Sequence, residues 1–539
     1  MPDFDVVVIG SGAGGMSAAV ALARAGKRVL VLEQHYLPGG WCHSFSLGGF
    51  RFSPGIHYVG ELGTGGWLRT LLEGLAVTRD LEWWQLDRAR TDIIWTAGGH
   101  YPVPAELEPK ITRLTELFPG DAAGIRQVIE LAAALYRSLI ADYRALEAVP
   151  WRQRLGLRGV GNLLRYGLKP TQAVLEAFIK DPVARTVLAK PPVDSIGLSP
   201  RELPFLYFAT FIGHFAGGAW YPRGGARAIP KAFVRELRRN GGDIQVRRQV
   251  QAILVEGRGG GARTIGVRLA DGAEIRARTV ISNADVGVTY GRLLPQQFVP
   301  PRLHRRLAAS RWSISSLALF LGLEGDMRAH GIGSGMIWGC PADLDEAMMD
   351  WAQAPSPLDQ GPIPGFFLTF PSLKDPTLRR DGRHSAEMFT FIDYDAFKAF
   401  ATTAHGVRPE AYEALKRHYR DAMLSRLEQA YPGLGEQIVF AELGTPLTAE
   451  HYCAGTRGNA YGTAKTLRHG HPYRWPQKSP IKGLYLCGHS TLAHGLLGAS
   501  SSGLAAAAQV LGCSSRDLLT AAGPALRTYR SDDPATWPA

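Results

Sequence analysis

Four glycines near the N-terminus have the spacing of a turn that can hold a pyrophosphate. Gly10, Gly12 and Gly15 fit the pattern G-x-G-x-x-G, and Gly14 adds a fourth glycine. The first glycine of this pattern permits a tight turn, the second lets a pyrophosphate reach the backbone, and the third lets the next helix approach the strand. Glu33, 18 residues after Gly15, is placed to bind a ribose diol and disfavours the 2′-phosphate of NADP. These five residues predict a dinucleotide site.

The segments around the glycines predict a strand, a helix and a second strand. Val6–Ile9 is a β-branched run typical of a strand that is buried on both faces. A helix of small residues is predicted from Met16 to Ala25, and Gly26 ends it. The second strand covers Arg28–Leu32. Because the helix starts at the glycine turn, its N-terminus brings about half a positive charge toward the phosphates.

A second glycine pair, Gly39–Gly40, follows the second strand. A simple NAD domain would have its next helix here, so the pair predicts another close approach of backbone to an extended cofactor. This arrangement resembles the FAD-binding fold shared by amine oxidases, carotene desaturases and their relatives. The resemblance implies an α/β fold class, with a Rossmann-like FAD-binding domain of the amine-oxidase type and a discontinuous α+β substrate-binding domain. FAD is therefore the predicted cofactor.

The region near residue 490 predicts a second part of the same site. Leu484–Cys487 has the composition of a buried strand, Gly488–Gly495 that of a loop, and a helix of small residues extends to Leu511. The bare N–H groups at such a helix start can face an electron-rich edge of the isoalloxazine ring and stabilise negative charge on reduced flavin. The pattern resembles the C-terminal flavin motif of the same superfamily.

The resemblance also assigns roles to single residues. Gly488, Leu496 and Leu497 match positions that contact the flavin and its ribityl chain, and Val250 matches the position whose backbone meets the adenine. His489 departs from the pattern, because the family usually has an acidic residue there that binds the ribityl hydroxyls. Histidine can donate or accept a hydrogen bond, so FAD binding with altered affinity and a loop histidine without a binding role are both open.

The length of 539 residues predicts two or three domains. A glycine-tipped β-meander leads to the apolar stretch Val280–Asp285, which is predicted to return to the sheet as a buried strand. The predicted divisions are an FAD-binding domain at 1–65, 224–290 and 475–515, a substrate-binding or lid domain at 66–223 and 291–474, and a C-terminal tail at 516–539.

Two internal segments narrow the family. Phe50–Leu62 (FRFSPGIHYVGEL) and Trp220–Phe233 (WYPRGGARAIPKAF) resemble the retinol saturase branch, which sits beside the carotenoid isomerases and phytoene desaturases. The resemblance covers nearly the whole chain and implies chemistry on a carbon–carbon double bond of an apolar polyene or other isoprenoid. It favours a saturase, in which reduced flavin gives a hydride from N5 and an acid in the cavity gives a proton.

Other functions fit the same scaffold. A carotenoid desaturase would run this chemistry in reverse, and a cis–trans isomerase would leave the electron count unchanged. A non-catalytic lipid-binding escort protein is a further alternative, since prenyl-binding GDP-dissociation inhibitors share the architecture, but flavin motifs at both ends argue against it. The GIHY and YPRGG motifs argue against an amine oxidase.

Four side chains are candidates for the acid. His57 and Tyr58 follow the flavin-binding segment in the GIHY motif, and Tyr461 and His494 lie in predicted loops beside the C-terminal flavin motif. A histidine or tyrosine in such a loop often only binds backbone or flavin, so each candidate has this alternative. No spacing of Cys, His, Asp and Glu resembles a metal site, and no metal is predicted.

The composition limits which cellular location and which binding partners are expected. Five scattered cysteines indicate a reducing compartment and the acidic N-terminus shows no secretory signal, so a cytoplasmic location is expected. The net charge of +12 fits an anionic cofactor or membrane surface, and no motif supports nucleic-acid binding. Since no second glycine motif follows a strand, NADH or NADPH is expected only as a transient electron donor, with an electron-transfer partner as the alternative.

Residues 151–170 are the candidate for peripheral membrane contact. The segment carries four arginines and one lysine among leucines, Trp151 and Tyr166, with no acidic residue. This composition suits an interfacial segment on anionic lipid, at the inner face of a membrane that holds the apolar substrate. A basic surface helix or a contact within the lid is the alternative. The preceding stretch, 122–149, is predicted to be one long amphipathic helix.

Overall fold

The computed structural model describes residues 2–96, 98–144, 161–340, 346–378, 382–470, 473–519 and 523–538. The strands, in chain order, are β1 (Phe4–Ile9), β2 (Val29–Leu32), β3 (Phe45–Leu47), β4 (Phe50–Phe52), β5 (Glu82–Gln85), β6 (Asp92–Thr96), β7 (Gly99–Val103), β8 (Trp220–Pro222), β9 (Asp243–Gln245), β10 (Val250–Glu256), β11 (Arg263–Leu269), β12 (Glu274–Ser282), β13 (Ser315–Glu324), β14 (Met336–Gly339), β15 (Phe366–Thr369), β16 (Arg383–Ile392), β17 (Ile438–Gly444), β18 (Leu484–Leu486) and β19 (Arg527–Arg530).

Short 3₁₀ and π turns join these strands to the α-helices. The α-helices are α1 (Ala13–Arg24), α2 (Trp67–Gly74), α3 (Leu107–Leu117), α4 (Ala122–Arg144), α5 (Thr171–Phe178), α6 (Pro182–Ile196), α7 (Phe205–His214), α8 (Ala228–Arg239), α9 (Val286–Val288), α10 (Pro301–Ala308), α11 (Glu346–Gln353), α12 (Pro371–Lys374), α13 (Glu410–Ala430), α14 (Pro446–Cys453) and α15 (Gly495–Leu511).

A parallel sheet carries both nucleotide motifs. Its strands lie in the order β9-β2-β1-β12-β18, and the first half of β12 continues antiparallel into β11 and β10. In β1, Val6 and Val8 pack with helices α1, α8 and α15, whereas Val7 and Ile9 pack on the side of the β10–β11 hairpin. All four are buried, because alternate side chains of a central strand point to opposite, covered faces.

The predicted elements of this region are present, with ends shifted by a few residues. The first helix begins at Ala13 and ends at Arg24, and the strand after it begins at Val29. The returning strand ends at Ser282, and the last helix of the motif ends at Leu511 as predicted. Helix ends depend on local turn geometry, which apolar periodicity does not report.

Helices α1 and α15 pack closely because both have small residues at their contact. A Cβ atom on Gly503 would lie 1.9 Å from the carbonyl oxygen of Gly14, and a Cβ atom on Gly14 would lie 2.9 Å from that of Ala499. Neither position has room for a larger residue. The contact brings the starts of the two helices, and so the two glycine motifs, to the same edge of the parallel sheet.

A second sheet forms the opposite part of the molecule. Its order is β17-β13-β16-β15-β14-β6-β7, antiparallel except for the β14–β6 pair. Apolar side chains of this sheet pack with α11 and α13 in one core and with α3 to α7 in another. Two acidic residues are buried among them, Glu387 on β16 and Asp92 on β6. Such groups are rarely buried without a partner or a function.

The C-terminal residues join a small third sheet of order β19-β5-β8. This differs from the predicted tail at 516–539, because β19 pairs in parallel with β5 and the Trp537 ring packs 5.6 Å from that of Trp84. The Pro- and Asp-rich composition of the segment gives no sign of this strand, since its pairing depends on an edge provided by residues 82–85.

Parts of two other predictions lie outside the described residues. The helix predicted at 122–149 is seen as α4, Ala122–Arg144, while 145–149 and 151–160 are not described. Within the ranges given above, no helix combines the length and apolar composition needed to cross a membrane. The domain boundaries at 65, 224, 290 and 475 stay predictions.

Candidate active site

A cavity of ≈ 1050 Å³ brings together residues that are up to several hundred positions apart in sequence. All of the predicted site residues line it except Gly15. The lining includes the predicted cofactor residues Gly10, Gly12, Gly14, Glu33, Gly39, Gly40, Val250, Gly488, His489, Leu496 and Leu497, and the predicted acid candidates His57, Tyr58, Tyr461 and His494.

The glycine turn leaves a cradle of bare backbone at the start of α1. Gly10 has a φ of +87°, which favours glycine. A Cβ atom on Gly12 would lie 2.8 Å from Nδ2 of Asn283, and one on Gly14 would lie 2.6 Å from Oδ1 of the same residue. Gly12 caps the helix without a side-chain hydrogen bond, so its first N–H groups are available to a phosphate. The pyrophosphate of a dinucleotide fits here.

Gly15 allows helix α1 to pack closely against the glycine turn. A Cβ atom at this position would lie 2.1 Å from the carbonyl oxygen of Gly10, so only glycine allows the helix to leave the strand so closely. Asn283, which follows β12 and faces the cradle, was not among the predicted residues. Its only signal in the sequence is its place directly after a returning strand, where ligand contacts are common.

Glu33, which directly follows β2, connects this strand to the glycine turn through hydrogen bonds. Its Oε2 accepts hydrogen bonds from the Ser11 amide (2.8 Å) and hydroxyl (2.6 Å), and its Oε1 accepts one from the His35 amide (2.8 Å). The Ser11 hydroxyl in turn accepts a hydrogen bond from Gly39 N at 2.9 Å. Glu33 therefore organises the two predicted glycine loops as well as lining the cavity, and its contact with a ribose stays a prediction.

The C-terminal motif forms another wall of the cavity. Gly488 has a φ of +100°, and its amide donates a hydrogen bond to Ser502 at 3.1 Å. Helix α15 starts after His494, which provides no side-chain cap, so the amides near Leu496 and Leu497 remain uncapped by a side chain. Uncapped amides suit a group that carries negative charge.

His489 lies against a carboxylate from another segment. Its Nε2 is 3.6 Å from Oδ2 of Asp285, which also accepts hydrogen bonds from Thr456 (2.5 Å) and Asn459 (3.1 Å). Burial by itself raises the pKa of Asp285, but His489 and these two donors outweigh it and lower the pKa. Gly462 makes room, since a Cβ atom there would lie 2.6 Å from His489 Cδ2. A carboxylate, that of Asp285, thus lies beside position 489 and also lines the cavity.

The rest of the cavity is largely apolar, and His57 lies there between two aromatic rings. The His57 imidazole lies 5.0 Å from the ring of Phe367 and 4.9 Å from that of Phe389. Its Nδ1 is 3.2 Å from Oε2 of the buried Glu387, and its side chain is 19% exposed toward the cavity. The pKa of His57 is lowered, because burial outweighs the opposite effect of Glu387 and the nearby Lys374 adds to the lowering. Nε2 of His57 is the ring nitrogen turned away from Glu387.

The Tyr58 hydroxyl is placed differently from the imidazole beside it. Its ring stacks on Phe215 at 4.3 Å, and the hydroxyl oxygen is buried. Burial and then the charge of Asp92 raise the pKa of Tyr58 well above its ordinary value. Tyr58 therefore stays protonated and is a weaker acid than a free tyrosine.

Tyr461 and His494 lie together, with ring centroids 4.9 Å apart. The Tyr461 hydroxyl donates a hydrogen bond to the backbone oxygen of Asp194 at 3.1 Å, and burial raises its pKa. His494 Nε2 is 2.9 Å from the backbone oxygen of Ser195, and burial lowers its pKa to about 3. The Nε2 of His494 is therefore engaged by the backbone of the protein, and its protonated form is strongly disfavoured.

Lys465 is a cavity residue that the sequence did not point to. It is 5% exposed, and its ammonium group donates a hydrogen bond to the backbone oxygen of His489 at 2.9 Å. Burial lowers its pKa to about 7. A single lysine in a loop carries no signal for such a position, because only the fold shows that its side chain is turned inward.

Comparison with known proteins decides the family. Residues 13–511 match the model of flavin containing amine oxidoreductases. The chain belongs to this family. Together with the glycine cradle, this confirms FAD as the cofactor and the α/β fold class with an FAD-binding domain of the amine-oxidase type. The glycine turn, Glu33, the loop at Gly39 and the C-terminal motif stay the predicted FAD-binding residues, and nearly all of them line the cavity.

Three similar sequences refine this result. The chain is 31% identical to an all-trans-retinol 13,14-reductase from Macaca fascicularis, over 94% of this chain and 85% of that protein. It is 29% identical to the all-trans-retinol 13,14-reductase of Danio rerio, over 94% and 86%. Prolycopene isomerase of Daucus carota is 28% identical over 94% and 80%. The resemblance to the retinol saturase branch is confirmed.

Solved structures agree on the fold. An oxidoreductase from Methanosarcina mazei superposes with a TM-score of 0.61 at 17% identity, covering 94% of this chain and 99% of that one. Putrescine oxidase bound to putrescine gives a TM-score of 0.61 at 16% identity, with the same coverage. At this level of identity the likeness shows the fold alone.

Proposed function

We propose that the chain is an FAD-dependent saturase that reduces a carbon–carbon double bond of an apolar polyene. The observation that carries the proposal is His57, an ionisable side chain between the rings of Phe367 and Phe389 in the cavity that also contains the cofactor loops. The reductases that share 29–31% identity with the chain act, by their names, on all-trans-retinol. A retinoid or a related isoprenoid is therefore the proposed substrate.

Polyene reduction needs a hydride on one alkene carbon and a proton on its neighbour. FAD, when bound and reduced, supplies the hydride. The chain supplies the proton, and His57 is the candidate best placed to do so. Its Nε2 is turned away from Glu387, on a side chain that lines the cavity. The Nε2–H bond breaks as the carbon–hydrogen bond forms, which leaves a neutral imidazole that regains a proton from solvent.

The other three candidates have different tasks. The hydroxyl of Tyr461 and the Nε2 of His494 are engaged by backbone oxygens of α6, and the Tyr58 hydroxyl is buried beside Asp92. These side chains shape and stiffen the wall. Electrons reach FAD from a nicotinamide that binds transiently or from an electron-transfer partner, and both sources are part of the proposal.

Isomerisation is the second candidate function. It is favoured by the 28% identity with prolycopene isomerase over 94% of the chain. The same apolar cavity and cofactor would serve, with the polyene released at its original oxidation level. A desaturase and a lipid-binding escort protein remain outcomes that an experiment can detect.

Anaerobic spectroscopy separates these functions. The holoprotein is reduced without oxygen, all-trans-retinol is added, and the absorbance of flavin and polyene is followed. A saturase restores oxidised flavin while the polyene chromophore shortens, and H57Q slows this by about 10²-fold or more with unchanged FAD content. Flavin that stays reduced while the isomer pattern changes would favour the isomerase. No change in either chromophore would contradict both.

We also propose that the chain reaches its substrate from an anionic membrane surface, at the inner face of a membrane. Of the candidate segment, residues 161–170 are described. Leu164 and Leu168 are 67% and 40% exposed, and Arg165 and Lys169 adjoin them. Leu163 and Leu168 also line the cavity. Exposed leucines and basic side chains therefore occur together at a point where the cavity meets the surface, which suits an interfacial contact.

Sedimentation with phosphatidylserine vesicles tests this contact. L164D removes an exposed leucine and adds a like charge to the lipid, so we expect the bound fraction to fall about tenfold. V407D is the matched control, because Val407 is 76% exposed and lies outside both the candidate segment and the cavity lining. Equal loss in both variants, or none in L164D, would contradict membrane contact at this segment.

A further inference from the structure

We propose that Glu387 and Lys374 are a pair of opposed positioning residues that set the charge of His57. Glu387 lies at ion-pair distance from Nδ1 of the imidazole and favours its protonated form, while Lys374 opposes that form. The inference rests on the proposed function, in which His57 gives the proton to the substrate.

Three separate elements bring these groups together. His57 lies in the loop after β4, Glu387 is on β16, and Lys374 ends α12. Glu387 Oε2 lies 3.2 Å from His57 Nδ1, and Lys374 Nζ donates a hydrogen bond to the backbone oxygen of His57 at 2.6 Å. A carboxylate and an ammonium group thus meet the same histidine from two sides.

Both charged groups are fully buried, each with 0% exposure. In the part of the chain that the structure describes, neither has an ion-pair partner within 4 Å apart from the contact between Glu387 and His57. A buried pair that only stabilised the fold would be expected to form a direct ion pair, because an uncompensated buried charge is costly. Here the two groups converge on His57 instead. This arrangement is expected if Glu387 and Lys374 control the charge on His57.

The surrounding polar groups complete the environment of the pair. The other carboxylate oxygen of Glu387 accepts a hydrogen bond from Ser53 N, and the Ser53 hydroxyl is 3.3 Å from that of Tyr221. Asp92 on β6 acts on Lys374 through its charge. Burial lowers the pKa of Lys374 to about 7, against the opposite effects of Glu387 and Asp92. No other charged group is found to act on His57 within the described ranges.

Removing the two partners should move the titration of His57 in opposite directions. E387Q takes away the negative charge that favours imidazolium, so the midpoint should fall by about one pH unit. K374M takes away the positive charge that opposes it, so the midpoint should rise by about one unit. E387D keeps a carboxylate and should stay closer to the wild type than E387Q does.

The midpoint can be measured without turnover, by NMR of histidine-labelled oxidised holoprotein, with H57Q identifying the signal. E236Q is the matched control, since Glu236 is a buried carboxylate (4% exposed) bound by arginines away from the cavity, and it should leave the midpoint unchanged. The acid limb of the pH profile of anaerobic flavin reoxidation by all-trans-retinol should follow the same shifts.

An unchanged midpoint in E387Q, or shifts of the same sign in E387Q and K374M, would overturn the inference. A wild-type protein that reduces no polyene, with midpoints that shift as expected, would instead contradict the proposed function. The two failures are therefore distinguishable.

Discussion

Lys465 is a cavity residue whose burial is expected to lower the stability of the fold. Its ammonium group is buried, and no carboxylate lies within ion-pair distance among the residues that the structure describes. Burial lowers its pKa from 10.5 to about 7. A group whose charged form is disfavoured by folding reduces stability at every pH where the unfolded chain keeps it charged.

The pH dependence of stability follows from this shift. Between pH 7 and about 10.5 the unfolded chain binds a proton that the folded chain has released, so the free energy of unfolding rises with pH in this window. Below pH 7 the folded and the unfolded chain both bind the proton, and the destabilisation by the buried ammonium group is fully present. We expect K465M to stabilise the holoprotein at pH 7 by up to a few kcal/mol and to reduce the rise between pH 7 and 10, leaving the part that Lys374 contributes.

Thermal unfolding across this pH range measures the effect. K27M is the control, because Lys27 is exposed on the turn before β2 and its replacement should leave the curve unchanged. A K465M protein whose rise in stability is as large as that of the wild type, or that is less stable than wild type at pH 7, would contradict the burial account of Lys465.

At the scale of secondary-structure elements, the contact between α1 and α15 holds the two halves of the cofactor site in register. The contact requires glycine at positions 14 and 503, where a Cβ atom would meet backbone at 2.9 Å or less. G503A should separate the helices, since backbone cannot move aside as a side chain can. We expect a loss of about 1–3 kcal/mol and a clear drop in FAD content.

The ratio of flavin to protein absorbance, together with the melting temperature, measures this loss. G333A is the matched control, because a Cβ atom on Gly333 meets nothing within 4 Å. FAD content that is normal in G503A would show that the helix contact does not position the cofactor site.

The same elements show how far sequence reasoning reaches. The β1–α1–β2 unit and the C-terminal helix were predicted because each is defined by local periodicity and by glycines at fixed spacing. Strand β19 was missed, since a short strand that pairs with a distant edge has no local pattern of its own. The ends of α1 shifted for a similar reason, because the turn decides where the helix begins.

At the scale of the whole molecule, the two large sheets position the cofactor loops and the proposed proton donor, respectively. The parallel sheet presents the cofactor loops, and the second sheet presents Glu387 behind His57. His57 could be proposed from the GIHY motif, but Glu387 could not, because it is 330 residues away and its placement depends on the register of β16. Lys374 and Asn283 were missed for the same reason. The sequence thus predicts the cofactor side of the site far better than the side that handles the proton.

One measurement tests the central claim, that the chain adds hydrogen across a carbon–carbon double bond, most directly. Reduced holoprotein is mixed with all-trans-retinol in D2O without oxygen, and the product is analysed by mass spectrometry. The hydrogen on N5 of reduced flavin and the proton on His57 both exchange with solvent, so the account predicts a product with two deuterium atoms at the former double bond. A product with the mass of the substrate and a changed double-bond geometry would contradict the saturase and establish an isomerase.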